Sequence, residues 1–291
     1  MQIDSHSSAP AVSPPLPPRS SLGWSLSDRN PDTIRSLLPY VEWFYQHYFR
    51  VTTDGWEHIP DRPVLFVGSH NGGLASPDTH MFMVDWFRRF GPERPAYGLM
   101  HPNAWAVYPD LAKLAAQMGA VQAHPKMAIA AFQQGASVLV YPGGAQDVFR
   151  PHHQRHQIVF HGRKGFIKLA LREQVPIVPL VSTGAHDTLY VLGDCYQQVR
   201  QLHDWGILPW IFGIDPEVFP IYLGWPWGLS LGPLPNIPWP HPIHTRVCPP
   251  IEFDRSGREA AKDSNYVDQC YHQVKTQMQQ ALDRLVEKEP F

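Results

Sequence analysis

The chain has 291 residues, a net charge of −2 at pH 7 and an apolar content of 43%. That length suits one large α/β domain, and the balanced charge gives no reason to expect a nucleic acid partner. The three cysteines (Cys195, Cys248 and Cys270) lack C-x-x-C spacing, which favours a reducing, cytoplasmic setting and speaks against a cysteine-ligated zinc.

Residues 1–29 are predicted to form a disordered tail, and residues 30–291 a single domain. The tail is rich in Ser and Pro and lacks the basic start and apolar core of a secretory signal. Asn30-Pro31 marks a helix start, and apolar residues at helical spacing predict an amphipathic leading helix, kinked at Pro39. Its aromatic residues either cover the core or face a membrane.

From residue 64 the chain alternates between short apolar runs and amphipathic segments. This alternation predicts an α/β fold of three layers, in which helices cover both faces of a mostly parallel central sheet. The predicted strands are residues 64–68, 96–100, 120–122, 137–141 and 177–182, with a late strand near 245–248. The predicted helices are residues 79–90, 110–118, 126–134 and 164–174, with a closing amphipathic helix over 265–287.

Residues 218–245 contain no Asp, Glu, Lys or Arg, but hold seven prolines, at positions 220, 226, 233, 235, 238, 240 and 242. Because proline has no backbone N–H, a membrane-spanning helix cannot form with so many donors missing. The aromatic residues Tyr222, Trp225, Trp227 and Trp239 favour the headgroup zone of a membrane. We interpret the stretch as an irregular apolar segment that lines a lipid tunnel or lies in the membrane interface. A loop packed on the core is the alternative.

Two glycine-bearing segments follow predicted strands, residues 70–78 (HNGGLASPD) and residues 141–147 (YPGGAQD). His70 and Asp78, delivered on one loop, can deprotonate a hydroxyl, since a neutral imidazole accepts protons near neutral pH. Backbone N–H groups in both segments can hold an oxyanion. The candidates for that role are Asn71, Gly72, Gly73, Gly143 and Gly144. Together the two segments indicate acyl transfer to an alcohol.

Two rival patterns are weaker. Residues 228–232 (GLSLG) match the serine-hydrolase elbow around Ser230, but prolines flank them where that elbow needs a strand and a helix. The histidines at 152, 153, 156 and 161 do not have the spacing of a zinc protease motif, so no metal site is predicted.

The blocks at 64–78, 135–151, 162–171 and 175–180, in this order, resemble the glycerolipid (lysophosphatidate acyltransferase-like) acyltransferase superfamily. The similarity covers roughly two-thirds of the chain and is strongest to the branch of monoacylglycerol and type-2 diacylglycerol acyltransferases. It implies a peripheral-membrane O-acyltransferase with His70 as general base and a lipid alcohol as acceptor. The implied donor is an acyl thioester, acyl-CoA or an acyl carrier protein, used as a co-substrate without any cofactor.

The chain departs from that superfamily at two positions. The usual block is His-x-x-x-x-Asp, but Ala75 stands at the aspartate position and the first carboxylate downstream is Asp78. We therefore expect a longer loop with Asp78 as the partner of His70. Members that acylate lysophosphatidate carry Pro-Glu-Gly-Thr-Arg, whose arginine is thought to hold phosphate. Because Gln146 replaces that arginine, a neutral acceptor is expected, such as a diacylglycerol, a long-chain alcohol or a prenyl quinol.

Arg150 and Arg163 follow the second glycine segment and are expected either to meet the phosphates of the donor or to be solvated surface residues. The alternatives that the sequence leaves open are a lysophosphatidate acyltransferase, a lipid esterase and a lipid-binding protein without catalytic activity.

Overall fold

The computed structural model describes residues 22–107, 109–210 and 213–288. Most of the tail predicted to be disordered, residues 1–21, lies outside this range. Leu26–Asp28 form a short 3₁₀ helix, Leu26 is buried, and its carbonyl accepts the Tyr97 hydroxyl at 3.2 Å. Packing against the domain therefore begins before residue 30.

The strands of the described residues form two sheets. They are β1 (Thr52–Asp54), β2 (Leu65–Gly68), β3 (Ala96–Met100), β4 (Ala120–Gln122), β5 (Ser137–Val140), β6 (Ile177–Thr183), β7 (Tyr190–Asp194), β8 (Pro220–Gly224), β9 (Gly228–Leu231) and β10 (His244–Val247). The central sheet has the order β1-β10-β6-β2-β5-β3-β4, and its neighbours are parallel except where β10 meets β6. The side sheet is antiparallel, in the order β7-β8-β9.

Helices connect the strands and pack on the central sheet. They are α1 (Pro31–Trp43), α2 (Pro77–Phe90), α3 (Pro102–Val107), α4 (Pro109–Gln117), α5 (Pro125–Gln133), α6 (Gly144–Val148), α7 (Gly165–Glu173), α8 (Tyr196–Asp204), α9 (Arg258–Lys262) and α10 (Ser264–Val286). Each helix predicted from the sequence is present with ends within two residues of those expected.

The side chains of the central strands alternate between two cores. Leu65 and Val67 of β2 pack in a cluster with α5, α7 and α10, whereas Phe66 packs with α1 and α2 on the opposite face. Strands buried on both faces read as continuous apolar runs, which is why the sequence located them. The predicted mostly parallel, three-layer α/β fold is confirmed.

The side sheet includes part of the segment that was expected to be irregular. Within residues 218–245, β8 and β9 form a hairpin, and β7 pairs with β8. Val191, Tyr222 and Ser230 are buried on the inner face of this sheet. The expectation of an irregular segment is thus wrong for residues 220–231, where backbone pairing overrides the high proline content of the surrounding chain.

The leading helix α1 runs through Pro39 and continues as a π-helical turn, Phe44–Tyr48. Ile34 is its buried contact with the core, whereas Tyr40, Trp43 and Phe44 are exposed. Covering the core therefore accounts for one side of this helix and leaves an aromatic side outward. Among the helices of the described ranges, none combines the length and the apolar content needed to cross a bilayer.

Candidate active site

The first glycine segment is a tight loop between β2 and α2, and we call residues 69–76 the His70 loop. Gly72 and Gly73 have φ angles of +82° and +68°, in the left-handed region that favours glycine. A Cβ on Gly72 would lie 2.6 Å from Pro77 Cδ and 2.8 Å from Thr188 Oγ1. The glycine pair therefore turns the chain so tightly that the first turn of α2 returns to His70.

Asp78 lies in that first turn with one carboxylate oxygen beside the imidazole. Its Oδ2 is 3.4 Å from His70 Nδ1 and accepts the Asn71 N–H at 2.8 Å. Its Oδ1 accepts the Thr79 N–H at 2.7 Å. Asp78 is buried, whereas 20% of the His70 side chain remains exposed. The structure therefore brings His70 and Asp78 together across the longer loop, with the carboxylate on the Nδ1 side of the ring.

Ser76 and Tyr141 complete the surroundings of the imidazole. Ser76 Oγ is 3.4 Å from His70 Nε2, and the Tyr141 ring stacks on the imidazole with 4.5 Å between ring centroids. Burial and the Asp78 carboxylate raise the pKa of Tyr141 well above its ordinary value, so the phenol stays neutral. Gly68 provides the space, because a Cβ there would lie 2.3 Å from the Tyr141 ring.

Asp147, in α6, connects the second glycine segment to the His70 loop. Its carboxylate is fully buried, accepts the His70 backbone N–H at 2.5 Å and lies 3.3 Å from the Ser69 hydroxyl. Arg150 Nη1 donates to it at 2.9 Å. Burial raises the pKa of Asp147 to about 6, although the Arg150 guanidinium opposes that rise. The carboxylate is therefore mainly ionised at neutral pH and holds His70 through its backbone.

Arg150 is buried, and its guanidinium donates hydrogen bonds to acceptors within the protein. Besides Asp147, it donates to His70 O at 2.7 Å, to Asn71 Oδ1, to Gln154 O at 3.1 Å and to Arg155 O at 2.8 Å. This placement does not fit the expected contact with a donor phosphate. Arg150 instead links the His70 loop to α6 and the residues that follow it.

The second glycine segment turns the chain from β5 into α6, and we call residues 141–144 the glycine loop. Gly144 has φ of +60°, and its N–H donates to Tyr141 O at 3.3 Å. Gly143 is in a right-handed conformation, and a Cβ there would lie 2.2 Å from Asp147 Cβ. Gly143 is therefore required for the close approach of Asp147, and not for a positive φ.

The five backbone N–H groups expected to hold an oxyanion are not equally available. The Asn71 N–H is committed to Asp78, and the Gly144 N–H to Tyr141 O. Gly72, Gly73 and Gly143 are the remaining candidates.

Gln146 and Arg163 lie on the outer side of the glycine loop. Gln146 is exposed on α6 and borders a surface cleft of about 200 Å³ that Phe149, Gln154 and His161 also line. Arg163 is half exposed, donates to the carbonyl oxygens of Pro142 and Gly143, and reaches Glu217 Oε2 at 3.5 Å. The structure thus places Arg163 against the loop, and it brings neither residue into contact with the imidazole of His70.

The rival patterns do not form sites. Ser230 lies inside β9, where its hydroxyl donates to Gly228 O at 3.3 Å, so the strand–turn–helix of a hydrolase elbow is not formed. His152 Nε2 is 2.8 Å from Asp187 Oδ1, and the His152 ring packs against the Tyr190 ring at a tilt of 30°. Across the described ranges, no cluster of three or more His, Cys, Asp or Glu side chains could hold a metal ion.

Comparison with known proteins decides the family. A family model described as diacylglycerol acyltransferase matches residues 112–288, more than half of the chain. The chain belongs to the diacylglycerol acyltransferase family. The resemblance to this family inferred from the four sequence blocks is therefore confirmed.

Relatives of this family member extend over most of its sequence. Diacylglycerol O-acyltransferase 2B of Umbelopsis ramanniana is 24% identical over 284 residues, 91% of this chain and 76% of the relative. An uncharacterized protein of Mycobacterium tuberculosis is 26% identical over 253 residues, 86% of this chain, and the match spans 65% of the relative's own length. The lysophosphatidate acyltransferase PlsC of Thermotoga maritima superposes with a TM-score of 0.49 at 14% identity, over 88% of this chain and 83% of that one.

The sequence of this family member identifies the histidine and its carboxylate but not several of their neighbours. Ser76 and Asp147 were visible inside the two segments, yet only the folded chain shows that both contact His70. Tyr141 is the last residue of the predicted strand 137–141, and its stacking on the imidazole depends on β2 and β5 lying side by side.

Proposed function

We propose that this protein is an O-acyltransferase that moves a fatty acyl group from an acyl thioester to a lipophilic neutral alcohol, with a diacylglycerol as the first candidate acceptor. The observation that carries the proposal is the His70–Asp78 pair, built on a strand-end loop of a diacylglycerol acyltransferase family member. The two thioester donors with suitable chemistry are acyl-CoA and the acylated form of an acyl carrier protein.

The proposed reaction begins at His70. With its Nδ1 side held by Asp78, the imidazole takes the proton of the acceptor hydroxyl at Nε2. The alcohol oxygen then attacks the thioester carbon and forms a new C–O bond, and the negative charge moves to the carbonyl oxygen. When this intermediate collapses, the C–S bond breaks and the leaving thiolate takes the proton from the imidazolium. The proton of the alcohol thus ends on the released thiol, and the reaction needs no serine nucleophile.

Asp78 and the glycine backbone stabilise the two charges that form. Asp78 favours the imidazolium, because an opposite charge at short range is little screened in a buried site. The backbone N–H groups of Gly72, Gly73 or Gly143 would donate to the oxyanion. Such a preorganised donor contributes about a 10²–10³-fold rate gain in other enzymes of acyl transfer.

The neutral acceptor is supported by Gln146, which replaces the arginine of the phosphate-binding block. Two arginines near the loops cannot take over that role without rearrangement: Arg150 is buried and fully paired, and Arg163 is bonded to the glycine loop. A phosphate bound beside them would lose water without gaining an unpaired cation.

The acceptor is proposed to come from a membrane on which the protein lies peripherally. The outer face of the side sheet exposes Tyr190, Leu223 and Leu229, which are direct cross-strand neighbours. Trp225 and Trp227 lie at the hairpin tip, with 57% and 59% of their surfaces exposed. Because the exposed side chains of this face are apolar, contact with water is unfavourable, and lipid chains would cover them.

A second group of exposed aromatic residues lies at the end of α1 and in the π-helical turn that follows it. Its aromatic residues Trp43 and Phe44 are exposed, and the Tyr48 hydroxyl just beyond them donates to Pro238 O at 2.7 Å. The π-helical turn after α1 and the chain that follows the side sheet are therefore adjacent. Together they support contact with the headgroup zone, where aromatic rings are favoured.

A competition assay tests the proposed function. Wild-type protein is supplied with one radiolabelled acyl-CoA and equal mole fractions of diacylglycerol and lysophosphatidate in mixed micelles. Triacylglycerol should be the main labelled product. Labelled phosphatidate in excess would contradict the neutral acceptor, and free fatty acid formed at the same rate with and without acceptor would indicate an esterase.

A further inference from the structure

Asn236 is a buried amide without a partner, at the boundary between the side sheet and the His70 loop. It follows β9, and 8% of its surface is exposed. Neither its Nδ2 nor its Oδ1 has a hydrogen-bond partner, and both atoms are shielded from solvent. Asn236 belongs to none of the motifs in the sequence.

The backbone around Asn236 is fixed on both sides. The N–H of Ile237 donates to Trp225 O at 2.8 Å, and the N–H of Trp239 donates to Thr188 O at 2.9 Å. The first bond joins this chain to the hairpin, and the second joins it to the turn before β7. The amide is therefore held in place by main-chain pairing.

Asn236 lies directly against the turn that carries His70. Its Oδ1 is 2.9 Å from the point that a Cβ on Gly73 would occupy, so glycine at 73 is required for this approach. Ser76 Oγ, in turn, is 3.1 Å from Gly73 O and 3.4 Å from His70 Nε2. Gly73, beside the amide, and Ser76, beside the imidazole, are thus joined by a hydrogen bond within the same loop.

An unpaired buried amide is costly. Leaving a buried donor or acceptor without a partner costs about 1–3 kcal/mol, so native proteins retain few of them, and those that remain need an explanation. An amide carries both a donor and an acceptor. The polar part of a diacylglycerol offers the matching pair, a hydroxyl that can donate and ester carbonyls that can only accept.

We propose that Asn236 binds the polar part of the acceptor lipid, a hydroxyl or an ester carbonyl, and so helps to orient it towards His70. This inference rests on the proposed acyl transfer and names a residue for its acceptor site. The acceptor is favoured over the thioester donor because Asn236 follows directly on the apolar hairpin, whereas the pantetheine and phosphates of a donor call for cations and open polar surface.

Asn236→Leu separates a binding role from a structural one. Leucine has a similar size and removes both unpaired polar groups, so the melting temperature should stay equal or rise. Binding of dioctanoylglycerol in mixed micelles, measured without any acyl donor, should weaken about tenfold or more, the loss expected for about 1.4 kcal/mol. In the transfer assay, KM for the acceptor should rise while KM for acyl-CoA stays unchanged.

Ser230→Ala is the matched control, because Ser230 is also buried in the side sheet but has an internal partner. This variant should bind dioctanoylglycerol like the wild type. Unchanged binding by Asn236→Leu overturns the inference, and so does weaker binding together with a melting temperature lowered by several degrees, since that combination indicates a structural amide. If the wild type binds dioctanoylglycerol but transfers no acyl group, the proposed function fails while the binding measurement still tests Asn236.

Discussion

The central sheet and the side sheet use apolar residues in different ways. In β2 of the central sheet every residue is buried, because helices cover both faces. In β9 of the side sheet, Ser230 is buried whereas Leu229 and Leu231 are exposed. An antiparallel sheet with one face open to water normally places polar residues there. The side sheet reverses that rule, which supports the proposed contact of its outer face with lipid.

The same division separates the polar chemistry. The ends of β2 and β5 carry His70, Asp147 and the groups that hold them in place. The hairpin of β8 and β9 carries no Asp, Glu, Lys, Arg or His side chain. The proposed function assigns acyl transfer to the charged centre and lipid contact to the uncharged surface. Three variants test whether the two parts are separable.

The largest effect is expected from Arg150→Met. The substitution removes the guanidinium from six contacts and leaves the Asp147 carboxylate buried without its partner. Breaking a buried ion pair from one side costs about 3–5 kcal/mol, which urea unfolding monitored by circular dichroism can measure. Transfer activity should fall with it, because the His70 loop loses its attachment.

Arg155→Met is the control for that measurement. Arg155 lies close by in the chain, and its pair with Asp187 at 3.4 Å is partly exposed. Such a pair contributes about 1 kcal/mol or less. Equal stability losses in Arg150→Met and Arg155→Met would contradict the conclusion that Arg150 stabilises the fold by linking the His70 loop to α6.

His70→Ala should affect transfer alone. Loss of a general base typically lowers kcat about 10²–10⁴-fold, and His70 is partly exposed, so the melting temperature should change little. Single-turnover assays with acyl-CoA and dioctanoylglycerol measure the effect. His153→Ala, which changes an exposed histidine of the nearby 3₁₀ turn, is the control. A variant that keeps more than about a tenth of the wild-type kcat would exclude His70 as the base.

The smallest effect on chemistry is expected from Trp225→Ser combined with Trp227→Ser. Both side chains are more than half exposed, so the fold and the kcat for a micellar short-chain acceptor should be retained. Flotation with phosphatidylcholine vesicles should show release of the variant, and high salt should release little of the wild type, since an uncharged surface leaves nothing to screen. Leu111→Ser, an exposed apolar position on α4 next to β4, is the control.

Two results of that flotation assay would contradict the proposal that the uncharged surface of the side sheet contacts lipid. Wild-type protein that ignores the vesicles would mean that the outer face of the side sheet meets another partner. Release by salt alone would mean that charges, and not the apolar face, hold the protein to lipid.

The sequence predicted the central sheet because its strands are short apolar runs between turn residues. It failed for the side sheet, since Leu223 and Leu229 on the outer face are as apolar as Tyr222 on the inner face. Without a polar–apolar alternation in β8, a hairpin among prolines cannot be distinguished from an apolar loop. The apolar residues on the outer face of the side sheet are therefore the cause both of the ambiguous sequence pattern and of the unusual surface.

The candidate site was predictable where it is local in sequence. His70 and Asp78 share one loop, and the resemblance to known acyltransferases named the histidine. Contacts between distant segments were not predictable: Asn236 reaches Gly73 only through the chain path after the hairpin. Arg150 shows the opposite error, because a charged residue is exposed by default and its burial follows from partners that the sequence does not reveal.

The position of β2 in the central sheet constrains how the chain reaches its native state. This strand, which leads into His70, lies between β5 and β6, so its partners begin at residues 137 and 177. During synthesis it must wait for more than a hundred residues before both edges can pair, and non-local pairing of this kind slows folding. A fragment limited to residues 112–288 would lack the strand from its middle and leave a gap between β5 and β6.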